Sequence, residues 1–196
     1  MKIVLGSSSI YRAQLLARIL TDFHIDSPSI DETSRAGESP ERLAIRLARK
    51  KAQAVGDRHP GSLVIGSDQV AILRENGSNA HILGKPGNFE VAKAQLARCS
   101  GQCVDFAVAC CLLNTISGKL IEFQDTYSVR YKTLSADTIA RYLQRDKPYD
   151  CAGSIKTEGL GVALLTSQSG SDPSTLIGLP LMALSNALES QGVRII

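Results

Sequence analysis

Short apolar runs of strand composition alternate along this chain with segments whose apolar residues recur at helical spacing. That alternation confines the chain to an α/β fold. Lys2 to Leu5 reads as a short buried strand. The small-residue loop Gly6-Ser7-Ser8-Ser9 follows, then a helix from Ile10 to Leu20 with Leu15, Leu16, Ile19 and Leu20 on one face. Phe23 to Ile25 predicts a second strand, and Ser27 to Gly37 a polar loop. Ser39-Pro40 has the chemistry of a helix start, Ser as N-cap and Pro at the first helical position. Leu43, Leu47, Ala48 and Ala52 carry the apolar face of that helix to about Val55. Leu63 to Ile65 and Val70 to Leu73 read as strand, interrupted by Gly66-Ser67-Asp68-Gln69, and Glu75 to Ala80 carries an Asn-Gly hairpin signal. Asn88 to Cys99 is helical in pattern. Val104 to Asn114 and Lys119 to Lys132 predict a long antiparallel hairpin around Ser117-Gly118. Ser135 caps a helix to Leu143, Val162 to Leu165 reads as strand, Gly170 to Ser174 as loop, and Leu179 to Leu188 as the last helix. Long antiparallel strands amid strand–helix alternation predict a mixed sheet.

The 196 residues suit one large domain or two tightly joined lobes. With 22 Lys and Arg against 19 Asp and Glu, the formal charge is only +3. That excludes a strongly basic binder of nucleic-acid polymers, while leaving room for a local basic pocket. No run of 18 apolar residues is present, so no membrane partner is expected. The five cysteines are odd in number and show no Cys-x-x-Cys spacing, which reads as free thiols in a reducing cytoplasm.

Four polar clusters break into the apolar pattern. Ser7-Ser8-Ser9 with Arg12, at a strand-to-helix junction, suits phosphate oxygens, and it also suits a plain Ser cap beside a solvated Arg. Its spacing is not that of a P-loop. Asp31-Glu32, with Lys50-Lys51 on the next helix, suits a Mg²⁺–phosphate site or a solvated loop. Asp68 lies between Val64-Ile65 and Val70-Ala71. An acid there is costly to bury unpaired, so it pairs, binds metal or works as a base. Gly84-Lys85-Pro86 follows the hairpin. The fourth cluster runs from Asp150 to Gly159, including Lys156 and Glu158, and is followed by Ser171 to Leu181.

In this order the clusters resemble the Maf family of nucleoside triphosphate pyrophosphatases. The signposts are Leu5-Gly6-Ser7-Ser8-Ser9 with Arg12, Asp31-Glu32, Lys51-Ala52, Ile65-Gly66-Ser67-Asp68, Gly84-Lys85-Pro86, Ser100-Gly101, Ala152-Gly153 and Gly178-Leu179-Pro180. The resemblance covers essentially the whole chain, residues 1–196, as a single domain. The family's usual Ser-Pro-Arg-Arg is replaced by Ser9-Ile10-Tyr11-Arg12, and Gln69 follows the acid where many members carry Thr. Ser67-Asp68-Gln69-Val70, Cys151-Ala152-Gly153-Ser154, Lys156-Thr157-Glu158-Gly159 and Asp172-Pro173-Ser174-Thr175-Leu176 look like the YceF-type branch, associated with 7-methyl-GTP. The dTTP/UTP branch typically has Arg, Thr and Gln where this chain has Tyr11, Gln69 and Glu158. The three differences fit one another chemically. N7 methylation leaves guanine cationic, so Tyr11 can stack on it, Glu158 can accept from N1–H and the exocyclic amine, and Gln69 can donate to O6.

The resemblance further implies an elongated mixed β-sheet flanked by helices, with two lobes around a central cleft, similar to the inosine-triphosphate pyrophosphatases. It implies hydrolysis of a nucleoside triphosphate to monophosphate and pyrophosphate, removing modified nucleotides. Asp68 would be the proton acceptor, and Glu32 with Asp68 would hold a divalent cation, Mg²⁺ or Mn²⁺. Ser7, Ser8, Ser9, Arg12, Lys51 and Lys85, with Lys156 as a further candidate, would bind the phosphates. A homodimer is compatible with the family. Two alternatives stand beside this reading: the same reaction on dTTP or UTP, and a nucleotide-binding regulator without turnover.

Overall fold

The computed structural model describes residues 1–75 and 79–196. The Asn-Gly turn expected within Glu75 to Ala80 falls on 76–78, outside the described residues. The strands are β1 (Lys2–Gly6), β2 (His24–Asp26), β3 (Ser62–Glu75), β4 (Asn79–Leu83), β5 (Cys103–Asn114), β6 (Leu120–Tyr131) and β7 (Leu165–Ser169). The helices are α1 (Ile10–Leu16), α2 (Pro40–Gly56), α3 (Phe89–Cys99), α4 (Ala136–Asp146) and α5 (Leu181–Glu189). The strands form a mixed seven-stranded sheet in the order β2-β1-β3-β5-β6-β7, with β4 on β3. β1 runs parallel to β2 and β3, whereas β4 is antiparallel to β3 and β7 to β6. The α/β class and the mixed sheet are therefore as expected. Among the described residues no helix is long and apolar enough to cross a membrane.

The chain divides into two compact units. The first holds Met1–Gln69, Val108–Asp125 and Asp172–Ile196, and the second Val70–Ala107 and Thr126–Ser171. In unit 1, alternation along the strands assigns each face its cover. Ile3 and Leu5 of β1, with Leu63 and Ile65 of β3, join Leu15 and Leu16 of α1 and Leu184 and Leu188 of α5 in one core. Val4 and Val64 point the other way and meet Val55 of α2. That helix starts where the chemistry predicted, with the Ser39 side chain accepting from Arg42 N and Pro40 in the first turn. In unit 2 the buried side chains include Ile72, Leu73, Leu96, Phe106, Tyr131 and Leu143.

Four expectations are corrected. Gly66-Ser67-Asp68-Gln69 does not interrupt its strand, because β3 runs unbroken through it. A Cβ at Gly66 would overlap the Ala48 carbonyl oxygen and lie 2.6 Å from Ala52 N, so the glycine is what lets β3 cross α2 this closely. The helix begun at Ile10 stops at Leu16 rather than Leu20. Arg18 N and Ile19 N bond to carbonyls three residues back, which tightens the exit into turns. Val162 to Leu164 lie in a 3₁₀ helix, Leu160–Leu164, before β7. The turn forms because Gly161 N bonds back to Lys156 O and Leu160 N to the Asp146 carboxylate. Pro173 and Ser174 are not loop but open a further 3₁₀ helix, Pro173–Ile177, capped by Asp172.

Candidate active site

Unit 1 gathers the first three clusters. The N-terminus of α1 follows β1 directly, and Ser9 is its N-cap, its Oγ accepting from Arg12 N at 3.3 Å. Ser7 is buried, and its Oγ accepts from Ser9 N at 3.1 Å and lies 3.4 Å from Arg12 Nη1. Ser8 is exposed on the same turn, and Tyr11 is half-buried in the first turn of α1. Arg12 Nε donates to the Gly178 carbonyl at 3.0 Å. Burial pulls the Arg12 guanidinium below its usual value, opposed chiefly by the charge of Asp68. It remains a cation, as arginine does in proteins.

Lys51, buried on α2, joins the second cluster to the third. Its Nζ donates to Asp68 Oδ1 at 2.6 Å and pairs with Glu32 Oε1 at 2.8 Å. The two acids differ in setting: the Asp68 side chain is 8% exposed and that of Glu32 55%. Burial pushes the Asp68 carboxyl above the usual carboxylate range, and Lys51 and Arg12 pull it back down. Asp31 accepts from Thr33 N at 2.9 Å and shapes the loop rather than the site.

Since both carboxylates reach one ammonium, one cation can lie within reach of both. Among the described residues no cluster of three His, Cys, Asp or Glu could hold a metal ion. Two carboxylates suit a Mg²⁺-like ion that takes its remaining ligands from water and phosphate oxygens. The donor set therefore fits a cation that arrives with a polyphosphate better than a resident metal.

Gln69 Nε2 donates to the carbonyls of Leu176 at 2.9 Å and Thr175 at 3.3 Å. The amide expected to donate to a base O6 is thus already on the 3₁₀ helix Pro173–Ile177. Asp172 is buried and caps twice, accepting from Ser174 N at 2.9 Å and from Met182 N in the first turn of α5 at 2.8 Å. Thr175 Oγ1 donates to Asp125 at 2.6 Å.

The remaining candidates, Lys85, Lys156 and Glu158, belong to unit 2. There the Gly84-Lys85-Pro86 segment meets the fourth cluster. The Gly84 carbonyl accepts from Gly153 N at 3.4 Å and from Gln95 Nε2 at 3.1 Å, and Ser154 Oγ donates to Gln95 Oε1 at 2.5 Å. Gly153 and Ser154 both adopt left-handed backbone, φ 69° and 57°. That conformation is unusual for a buried serine and marks a closely held turn. Lys85 is exposed. Lys156 N donates to Tyr142 Oη at 2.9 Å, and Glu158 is exposed with Thr157 Oγ1 3.3 Å from its carboxylate.

Sequence reasoning assigned no role to Ser67, to the Gly178 carbonyl or to the Asp172 caps. The signal for Ser67 was present: alternation from Leu63 and Ile65 puts its hydroxyl on a buried face, where it needs an acceptor. The acceptor itself, a backbone carbonyl more than a hundred residues away, left no mark in side-chain types.

The Maf-like protein family model matches residues 2–191. The chain is 48% identical over 190 residues to a 7-methyl-GTP pyrophosphatase of Nitrosococcus oceani, covering 97% of this chain and 93% of that protein. It is 45% identical to the 7-methyl-GTP pyrophosphatase of Alcanivorax borkumensis, covering 98% and 95%. Among solved structures, the Ham1 protein of Staphylococcus aureus aligns with TM-score 0.48 and 17% identity, over 68% of this chain and 73% of that one. By the extent of the family match and the identity to these relatives, the chain belongs to the Maf-like protein family.

Proposed function

We propose that this protein hydrolyses 7-methyl-GTP to 7-methyl-GMP and pyrophosphate, with Asp68 as the proton acceptor. One observation carries the chemistry: a strand-borne carboxylate, nearly buried, held by Lys51 at 2.6 Å and in the field of Arg12. The full-length likeness to proteins named for that substrate supports the base. Water attacks the α-phosphorus, forming the new P–O bond as the bond to the bridging oxygen breaks. The water's proton passes to Asp68 Oδ and pyrophosphate departs. Arg12 and Lys51 offset charge on the phosphates, where fixed cations contribute most because they need no reorganisation. A divalent cation held by Asp68 and Glu32 would supply further charge neutralisation to the triphosphate. Tyr11, in the first turn of α1, offers an aromatic face to a cationic ring.

Asp68→Asn tests this directly. The variant keeps size and polarity but cannot accept the proton, so pyrophosphate release falls by ~10³-fold or more while the circular dichroism spectrum is kept. Turnover near the parent rate would remove Asp68 from the proton-acceptor role.

A further inference from the structure

Alternation along β3 separates two tasks. Gly66 and Asp68 face α2, where Asp68 meets Lys51. Ser67 and Gln69 face the other way, and both are spent on the backbone of residues 175–178. Gln69 Nε2 donates to the Thr175 and Leu176 carbonyls, and the fully buried Ser67 Oγ lies 2.9 Å from Gly178 O and 3.0 Å from Ala109 O. The Gly178 carbonyl is the same one that accepts from Arg12 Nε. Gly178 has φ 107°, and a Cβ there would lie 3.1 Å from Arg12 Nε, so guanidinium and backbone are in direct register.

We propose that Ser67 is a positioning residue for phosphate binding: through the shared Gly178 carbonyl it sets the direction in which Arg12 presents its remaining N–H groups. The physical need is clear. Arg12 is half-buried, and its guanidinium donates to the Gly178 carbonyl and to the Ser7 hydroxyl. A flexible side chain anchored on a carbonyl depends on where that carbonyl points. A carbonyl with two lone pairs can serve Ser67 and Arg12 at once. With Gln69 gripping the Thr175 and Leu176 carbonyls of the same turn, Gly178 O is fixed from β3, the strand that also carries Asp68. Proton acceptor and phosphate ligand are thereby referenced to one rigid element.

This inference rests on the phosphate-binding reading of Arg12, and the test separates the two. kcat/KM and the inhibition constant of pyrophosphate are measured for the parent, Ser67→Ala, Arg12→Ala and the double variant. Arg12→Ala is expected to lower kcat/KM by ~10²–10³-fold. Ser67→Ala is expected to lower it about tenfold and to weaken pyrophosphate inhibition by a similar factor, because misaimed groups lose much of their benefit. The double variant should be no worse than Arg12→Ala alone, since Ser67 has nothing left to aim. A merely structural role for Ser67 would lower thermal stability without changing the pyrophosphate constant of the folded enzyme. Multiplying losses in the double variant overturn the positioning role alone. Unchanged kinetics in Arg12→Ala overturn the phosphate-binding reading, and this inference with it. If Ser67→Ala does not fold, Gly178→Ala enters the same cycle, since its added Cβ presses on Arg12 from the carbonyl side.

Discussion

In its proposed role as proton acceptor Asp68 must be ionised, yet it sits where ionisation is opposed. Burial raises its carboxyl, and Lys51 and Arg12 lower it again. The net direction is upward, which brings a carboxylate closer to the basicity a general base needs. Protonation silences the base, so turnover falls as pH drops through the raised value, and the acid limb of kcat lies above the ordinary carboxylate range. Removing Lys51 deletes the largest charge that favours the ionised form. Lys51→Met therefore shifts the acid limb of residual activity to higher pH as well as lowering kcat, and a pH–rate profile reads both. An unmoved limb would mean that Lys51 does not set the protonation of Asp68. Cys110 belongs to the same neighbourhood but not to the chemistry, since burial pushes its thiol up to about 12 and leaves no thiolate to react.

Among the elements, α2 and β3 make the site by their close approach, and Gly66 is the residue that permits it. Gly66→Ala forces the helix off the strand, costing about 1–3 kcal/mol or more. Urea unfolding should show a lower midpoint, and kcat should fall because Lys51 moves relative to Asp68; an unchanged midpoint would contradict the packing described. Ser39→Ala removes the cap of α2 and is expected to cost roughly 1 kcal/mol, with kcat nearly unchanged. These two sites also show how much was legible beforehand. The start of α2 could be read from Ser39-Pro40 because capping is local chemistry, and the apolar face from Leu43 to Ala52 because periodicity is local too. The continuity of β3 could not, because Gly and Asp have low strand propensity and only the helix packed against Gly66 and Asp68 explains their presence. The stretch Val162 to Leu164 misled for the same reason: its apolar residues look like strand, while the Asp146 carboxylate and the Lys156 carbonyl that turn it into a 3₁₀ helix lie elsewhere in the chain.

At the scale of the whole molecule, a small net charge of +3 coexists with a local concentration of opposite charges. In unit 1 Lys51 pairs with Asp68 and Glu32 at hydrogen-bond range, and Arg12 lies in the field of both acids. The ordered clusters were legible as a family because their sequence order survives folding. Their mutual distances were not, because those depend on how β1, β3 and α2 stack. Pyrophosphate release from 7-methyl-GTP, GTP, dTTP and UTP measures the proposed reaction and its base preference at once. The assay is run with Mg²⁺, with Mn²⁺ and with a chelator. We expect 7-methyl-GTP to give a kcat/KM at least ~10-fold above the other three, as a site built around one base's hydrogen bonds and charge would, and no release in chelator. Release chiefly from dTTP or UTP, or from no nucleotide at all, would contradict it.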